Sequence, residues 1–415
     1  MRKFSNIATT NFNLYDFLFF LLMFSTFYFT RNTFCRLLQL AFAGVMLAVT
    51  IAKNKKTPAP PFFLGFGTFI AYGAANIVFY NVIDHGIAKT MVFSLFLNFI
   101  MIFSISQYIL LSQNNSKILA LFENAVFCAA VLVVLLSRET LTTDRLGTDT
   151  EINANMLSML SVYAFIICLY RIESDKKGKL FFFIKMLLYI FIILLSGSRK
   201  GVIMIVAAVF LVSIIGKKKR LFFNLLIATT AAIILYFVLT KIDLFYNVIG
   251  YRLEDLFDFL STGSSKDYSI ENRSELIERG LYYINLKPWT GFGYDCFKLV
   301  SGIKSSSSQY YLYSHNNYIE LLFSGGIFAL VLYYLPLLWL LVNILKRAKS
   351  NRLLKYMLII FVVKHLIEYA YVSYYARMDA YIIAVILGVF LVEKDSKENS
   401  TESGASKNAL TNKTA

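Results

Sequence analysis

NYIELLFSGGIFALVLYYLPLLWLLVNIL, residues 317–345, runs for twenty-nine positions with one charge, Glu320, near its start. A hydrocarbon core about 30 Å thick is crossed by roughly 20 helical residues, so the stretch is long enough to span a membrane. A second block, LFFNLLIATTAAIILYFVLT at 221–240, carries no charge at all. Blocks of this kind fill most of the 415 residues, which are 58% hydrophobic and 16% charged, with a mean hydropathy of +0.61. Too little polar surface is left to coat a soluble globule, so lipid is the solvent. The expected fold is an all-α polytopic membrane protein with about twelve spans.

The spans fall near 14–30, 33–52, 61–82, 91–111, 118–136, 156–170, 180–196, 201–215, 221–240, 317–345, 354–373 and 380–392. No small-residue cleavage site follows the first, which reads as a retained span and not as a signal peptide. If the N-terminus is cytoplasmic, the loops 53–56, 171–179, 216–220 and 346–355 are cytoplasmic and all four are basic. Reversing the chain would send the run Lys217, Lys218, Lys219, Arg220 across the membrane, so the positive-inside rule places both termini in the cytoplasm. A single transmembrane domain, 1–392, then carries one large outer loop, 241–315, and a polar cytoplasmic tail, 393–415, is expected to be disordered.

The formal charge of +16 raises the question of nucleic acid. The outer loop holds eight Lys or Arg against nine Asp or Glu, so the surplus sits in the cytoplasmic loops and tail, where it sets topology and meets anionic lipid. No nucleic-acid partner is expected. Cys35, Cys128, Cys168 and Cys296 show neither disulfide nor zinc spacing, and no cluster of Asp, His or Cys offers a metal site. Neither metal nor other cofactor is expected.

Within the outer loop, Phe245, Ile249, Leu253, Leu256 and Leu260 recur at helical spacing, as in an amphipathic helix lying on the membrane surface. Asn272 followed by Glu275 reads as a helix start that places Arg273 in the first turn, beside unpaired N–H groups that attract phosphate. Lys287-Pro288-Trp289-Thr290-Gly291-Phe292-Gly293 signals a tight turn, and its Gly-x-Gly lacks the context of a dinucleotide site. His315 closes the loop where the longest apolar block begins. A lone histidine there is an interfacial polar residue or a catalytic base.

Four features in this order resemble the O-antigen ligase and polymerase superfamily of bacterial envelope glycosyltransferases. They are Ser196-Gly197-Ser198-Arg199 at an outer span end, Asn272-Arg273-Ser274-Glu275-Leu276, Lys287 to Gly293 as quoted, and His315-Asn316 with Gly326 eleven residues on. Ala329 and Ile277 depart from the family pattern without touching its chemistry. The resemblance implies a GT-C-like fold, with short amphipathic helices in the outer loop. It also implies a donor oligosaccharide on a polyprenyl diphosphate and transfer to a glycan hydroxyl at the outer face of the bacterial cytoplasmic membrane. Repeat-unit polymerisation of a surface polysaccharide, O-antigen or capsule, is the leading reading, with a partner that controls chain length as a further implication. Ligation of finished glycan to another acceptor is the close alternative.

Because the diphosphate already leaves as a stable anion, such an enzyme needs cations to hold it and a base for the acceptor proton. Arg199 and Arg273 match the family's arginines and are assigned to the diphosphate, since a guanidinium fork makes bidentate bonds to phosphate. His315 matches the family's histidine and is assigned as base or acceptor-orienting group. Arg279, Lys200, Arg377 and Asn316 are further outer candidates, the cations more simply read as solvated or snorkelling charges.

Charges inside spans cost roughly 2.5–3.5 kcal/mol each on insertion scales. Lys364 and Glu368 are four apart and can pair on one helix face. Asp16, Arg36, Glu123 and Lys185 are left without assigned roles. A flippase or other transporter would place such groups on broken helices at the midplane. Here Pro336 is the one proline inside a span and the polar signal concentrates in the outer loop, which favours the enzyme.

Overall fold

The computed structural model describes residues 12–29, 33–53, 60–138, 145–147, 150, 152–175, 177–215, 221–263, 268–304 and 311–411. The basic run 217–220 and the residues 54–56 of the first basic loop lie outside them. The helices are α1 (Leu14–Tyr28), α2 (Thr33–Ala52), α3 (Pro60–Phe79), α4 (His85–Ser112), α5 (Asn115–Leu136), α6 (Ala154–Ser174), α7 (Lys179–Leu195) and α8 (Arg199–Ile214). They continue with α9 (Leu221–Lys241), α10 (Asp243–Phe245), α11 (Tyr251–Thr262), α12 (Tyr268–Leu286), α13 (Asn317–Ala348), α14 (Arg352–Leu366) and α15 (Arg377–Thr411). Among the described residues the only β pairing is an isolated bridge between Lys304 and Tyr311.

Twelve spans were expected. Among the described residues six helices (α2 to α6 and α13) are long and apolar enough to cross a membrane, and a bent pair in the α9 to α11 region makes a seventh if counted as one span. Of the other five expected spans, those of α1, α7, α8 and α14 fall short at 15 to 17 residues, and that of α15 is flanked too closely by Arg377, Asp379, Glu393 and Lys394. Within the bent pair, Thr229–Lys241 and Asp243–Thr262 meet at 85°, and a π-helical turn at Tyr246–Gly250 precedes α11. The apolar periodicity read from Phe245 to Leu260 is thus helical, with Ile249 and Leu253 buried and Leu260 exposed. α15 runs as helix past Val392 to Thr411, where composition suggested disorder. Its Lys, Glu and Ala residues are good helix formers.

The block 317–345 is not one continuous helix. Gly325 (φ −140°) and Gly326 (φ +67°, ψ −163°) break α13, a conformation that glycine alone adopts cheaply. The loop after α12 fills the break: Phe323 O accepts from Phe292 N (2.7 Å), Ser324 O from Gly293 N (2.9 Å), and Pro288 O from Ile327 N (2.9 Å). A Cβ on Gly326 would lie 2.2 Å from the Trp289 backbone. The end of α3 closes over the same joint through Tyr72 OH to Gly325 O (2.8 Å) and Asn76 Nδ2 to Thr290 O (2.7 Å).

Asp16, Glu123, Lys185, Lys364 and Glu368 find partners. Lys364 and Glu368 pair at 2.6 Å, as their spacing allowed. Lys185 on α7 reaches Glu123 on α5 at 2.8 Å, and Tyr189 OH also donates to Glu123. Asp16 sits in the first turn of α1, capped with Asn13, accepting from Tyr108 OH (2.6 Å) and pairing with Lys117 (3.0 Å). This pair lies at one end of the bundle with Asn115 Nδ2 to Glu393 (2.7 Å) and Arg171 to Ser116 O (2.9 Å). The candidate site lies at the other end.

Candidate active site

Ser196-Gly197-Ser198-Arg199 forms the turn from α7 into α8. Gly197 takes φ +59°, and a Cβ there would meet Val248 O at 2.8 Å and Arg145 at 3.0 Å. Two arginines absent from the sequence assignment clasp this turn: Arg145 donates to Ser196 O (3.0 Å) and Arg252 to Gly197 O (3.0 Å). Asn155 Oδ1, at the start of α6, accepts from Ser198 Oγ (2.9 Å) and Arg145 (3.3 Å). Arg199 opens α8 almost fully buried, with Nη1 donating to Arg252 O at 3.3 Å.

Lys200 follows in the same turn. It is buried, with Nζ 5.2 Å from the centre of the Tyr371 ring, and does not snorkel to water. Burial first, and then the charges of Arg273, Arg145 and Arg199, push its ammonium down to about 7, with Asp379 opposing them. Arg273 comes to this group from α12, but not from the helix N-terminus expected. α12 begins at Tyr268, so Asn272 is no cap, and Glu271 in the true first turn meets the positive end of the helix dipole instead.

His315 projects from the turn into α13 with φ +53°, a left-handed conformation uncommon outside glycine, with asparagine, aspartate and histidine the usual exceptions. Its neighbours hold the turn. Asn316 caps α13, its Oδ1 accepting from Tyr318 N (3.0 Å) and Ile319 N (3.2 Å). Asn317 Oδ1 accepts from Ser373 N (2.9 Å) and Tyr374 N (3.0 Å), tying the turn to the α14–α15 connection. The His315 and Tyr313 rings lie 4.0 Å apart between centres, and His315 Nδ1 is buried with no hydrogen-bond partner. Burial first, and then the charges of Arg273 and Lys200, push the imidazole down to about 3, so at neutral pH the ring is uncharged and one nitrogen can accept a proton.

Arg273 and Lys200 therefore act on His315, Arg199 acts on Lys200, and the other candidates make their contacts elsewhere. Arg279 pairs with Glu275 at 2.7 Å on an exposed face of α12, and its guanidinium packs against Gly302. Asn316 is spent on capping. Arg377 opens α15 near Tyr381, with Nη1 buried and lacking a hydrogen-bond partner. Arg145 was legible by the rule that raised Arg199, since it too is an arginine in an outer loop. No group of three or more His, Cys, Asp or Glu that could hold a metal occurs among the described residues.

A family model described as O-antigen ligase matches residues 184–334, from within α7 to beyond the break in α13. No curated protein matches the chain. The matched stretch contains Arg199, Lys200, Arg273, His315 and both turns that lock α13, the same ground as the four sequence motifs. Residues 184–334 thus belong to the O-antigen ligase and polymerase superfamily.

Proposed function

We propose that this protein is an envelope glycosyltransferase working at the outer face of a bacterial cytoplasmic membrane. It moves an oligosaccharide from a polyprenyl diphosphate to a hydroxyl of a second lipid-linked glycan, and the reaction is repeat-unit polymerisation. The observation that carries this reading is the convergence of Arg199, Lys200 and Arg273 from two distant segments, with Arg273 and Lys200 acting on an uncharged His315. Two arginines and a lysine held near 7, whose ammonium an arriving anion restores, suit a dianionic leaving group, and a neutral imidazole suits an acceptor that must lose a proton.

In this mechanism the acceptor oxygen attacks the anomeric carbon, the bond from that carbon to the diphosphate oxygen breaks, and the acceptor proton passes to His315. The diphosphate departs on Arg199, Arg273 and Lys200, which stabilise the charge that develops on its bridging oxygen. Arg145 and Arg252 keep Arg199 aimed by fixing the turn before it. Burial is the main cause of the low His315 value, and bound diphosphate offsets the smaller part due to Arg273 and Lys200, so the base strengthens to that extent when donor is present. Cations in these positions do the work a divalent metal would otherwise do, and transfer is metal-independent. Arg171 and Arg352, from two of the basic loops, donate to Ser116 O and Glu173 O at the opposite end of the bundle, which accords with that end, and both termini, being cytoplasmic.

The test is purified protein in lipid vesicles with polyprenyl-diphosphate repeat units and no added metal, with lipid-linked products separated by size. A ladder of multiples is expected. A single transfer to a different acceptor would replace polymerase with ligase, and flipping without any transfer would overturn the enzyme reading.

A further inference from the structure

We propose that Glu320 is the positioning residue of His315: its buried carboxylate fixes the left-handed turn that aims the imidazole, an inference that rests on His315 being the base. Glu320 stands one helical turn into α13, completely buried, and its Oε2 accepts from the backbone N–H of Ser314 at 3.0 Å. Ser314 is the residue immediately before the histidine and is itself buried. Its Oγ donates to Asn316 O (2.8 Å) and accepts from Asn316 N (3.3 Å). The hydroxyl thus bridges the histidine, while the carboxylate fixes the backbone on its near side.

His315 at φ +53° is in a conformation that a non-glycine residue leaves unless its surroundings over-determine it. The Asn316 cap fixes the chain after the histidine, and Glu320 is what fixes it before. A packing role alone does not account for the choice of residue. An apolar side chain would fill the same space, whereas here a carboxylate is carried into the interior with Oε1 left without a hydrogen-bond partner. The acceptor function toward Ser314 N is the feature retained. It needs an oxygen at that point but not a charge, so glutamine should substitute and alanine should not.

Glu320→Ala, Glu320→Gln, His315→Ala and the double variant Glu320→Ala/His315→Ala are compared in the vesicle assay, each checked for membrane insertion. Glu320→Ala should lower kcat roughly 100-fold, the scale on which a 1 Å misplacement acts, with donor KM unchanged because the arginines are untouched. Glu320→Gln should stay within about threefold of the parent, and the double variant should be no slower than His315→Ala, since both changes act through one group. A Glu320→Ala enzyme of normal kcat, or a double variant slower than His315→Ala by the full Glu320→Ala factor, would overturn the inference. Parent protein that makes no product would instead defeat the transferase reading itself. If Glu320→Ala fails to insert, Glu320→Gln decides: near-parental kcat sustains the oxygen-acceptor role, and a 100-fold loss overturns it.

Discussion

The two ends of this bundle, and its middle, treat charge differently. Three interior carboxylates each meet an opposite charge: Glu123 with Lys185 in the middle, Asp16 with Lys117 at the far end, and Glu368 with Lys364 behind the His315 turn. At the His315 end, three arginines and one carboxylate surround Lys200. Pairing opposite charges makes ions tolerable inside a bilayer, whereas gathering like charges is unfavourable unless an anion arrives to share them. The first pattern reads as scaffold and the second as binding site.

The widest separation between these regions should appear on removing one charge or base from each. His315→Ala and Arg273→Ala should insert normally and lose about 10²–10⁴ in transfer rate, measured as product formed per inserted molecule. Near-parental rates in both would erase the distinction. Lys185→Met should do the reverse. Leaving Glu123 buried and unpaired costs about 3–5 kcal/mol, read as a shortened unfolding half-life in detergent, and Lys185→Met/Glu123→Leu should recover much of it. Transfer per folded molecule should not change in either variant.

A smaller effect is expected at the joint that carries the site. Gly326→Ala forces a Cβ into the Trp289 backbone at a glycine-only conformation and should cost about 1–3 kcal/mol of stability in a thermal scan, with activity falling alongside. The smallest effect is the response to pH. The folded imidazole of His315 titrates at about 3, below an unfolded value near 6.5, so the folded state binds fewer protons between the two. Its contribution to stability is constant above about 6.5, declines as pH falls from there toward 3, and is constant again below. His315→Gln should therefore flatten the stability–pH slope in that window by no more than one proton's worth. An unchanged slope would mean that His315 is not held neutral.

Local patterns in the sequence carried six of the twelve expected spans, a seventh with the bent pair, and the Lys364–Glu368 pair, because hydropathy and i,i+4 spacing are properties of neighbouring residues. The same holds for His315 at the foot of α13 and for Arg199 at the foot of α8, which follow from where apolar blocks begin. What failed was set by tertiary contact. α13 reads as one span because Gly325-Gly326 is tolerable in an apolar run, and only the loop at Pro288 to Gly293, brought alongside, makes the break favourable. The start of α12 was misplaced because the Asn272–Glu275 spacing imitates a cap inside a helix that began four residues earlier. The pairing of Glu123 with Lys185 joins α5 to α7, and no periodicity within either helix announces a partner on another.

The break in α13 also separates two mechanical tasks. The segment after Ile327 is the one that must follow the bilayer, tilting as hydrocarbon thickness changes. The short segment 317–324 is instead held by the Phe292 and Gly293 amides, by Tyr72 at the joint and by the Asn317 contacts to Ser373 and Tyr374. Because these contacts hold the first segment by itself, the aim of His315 is set apart from the tilt of the second. Transfer rates should therefore be nearly flat from short-chain to long-chain vesicles, whereas Gly326→Ala, which forces the Trp289 backbone away from the joint, should make the same enzyme sensitive to lipid length.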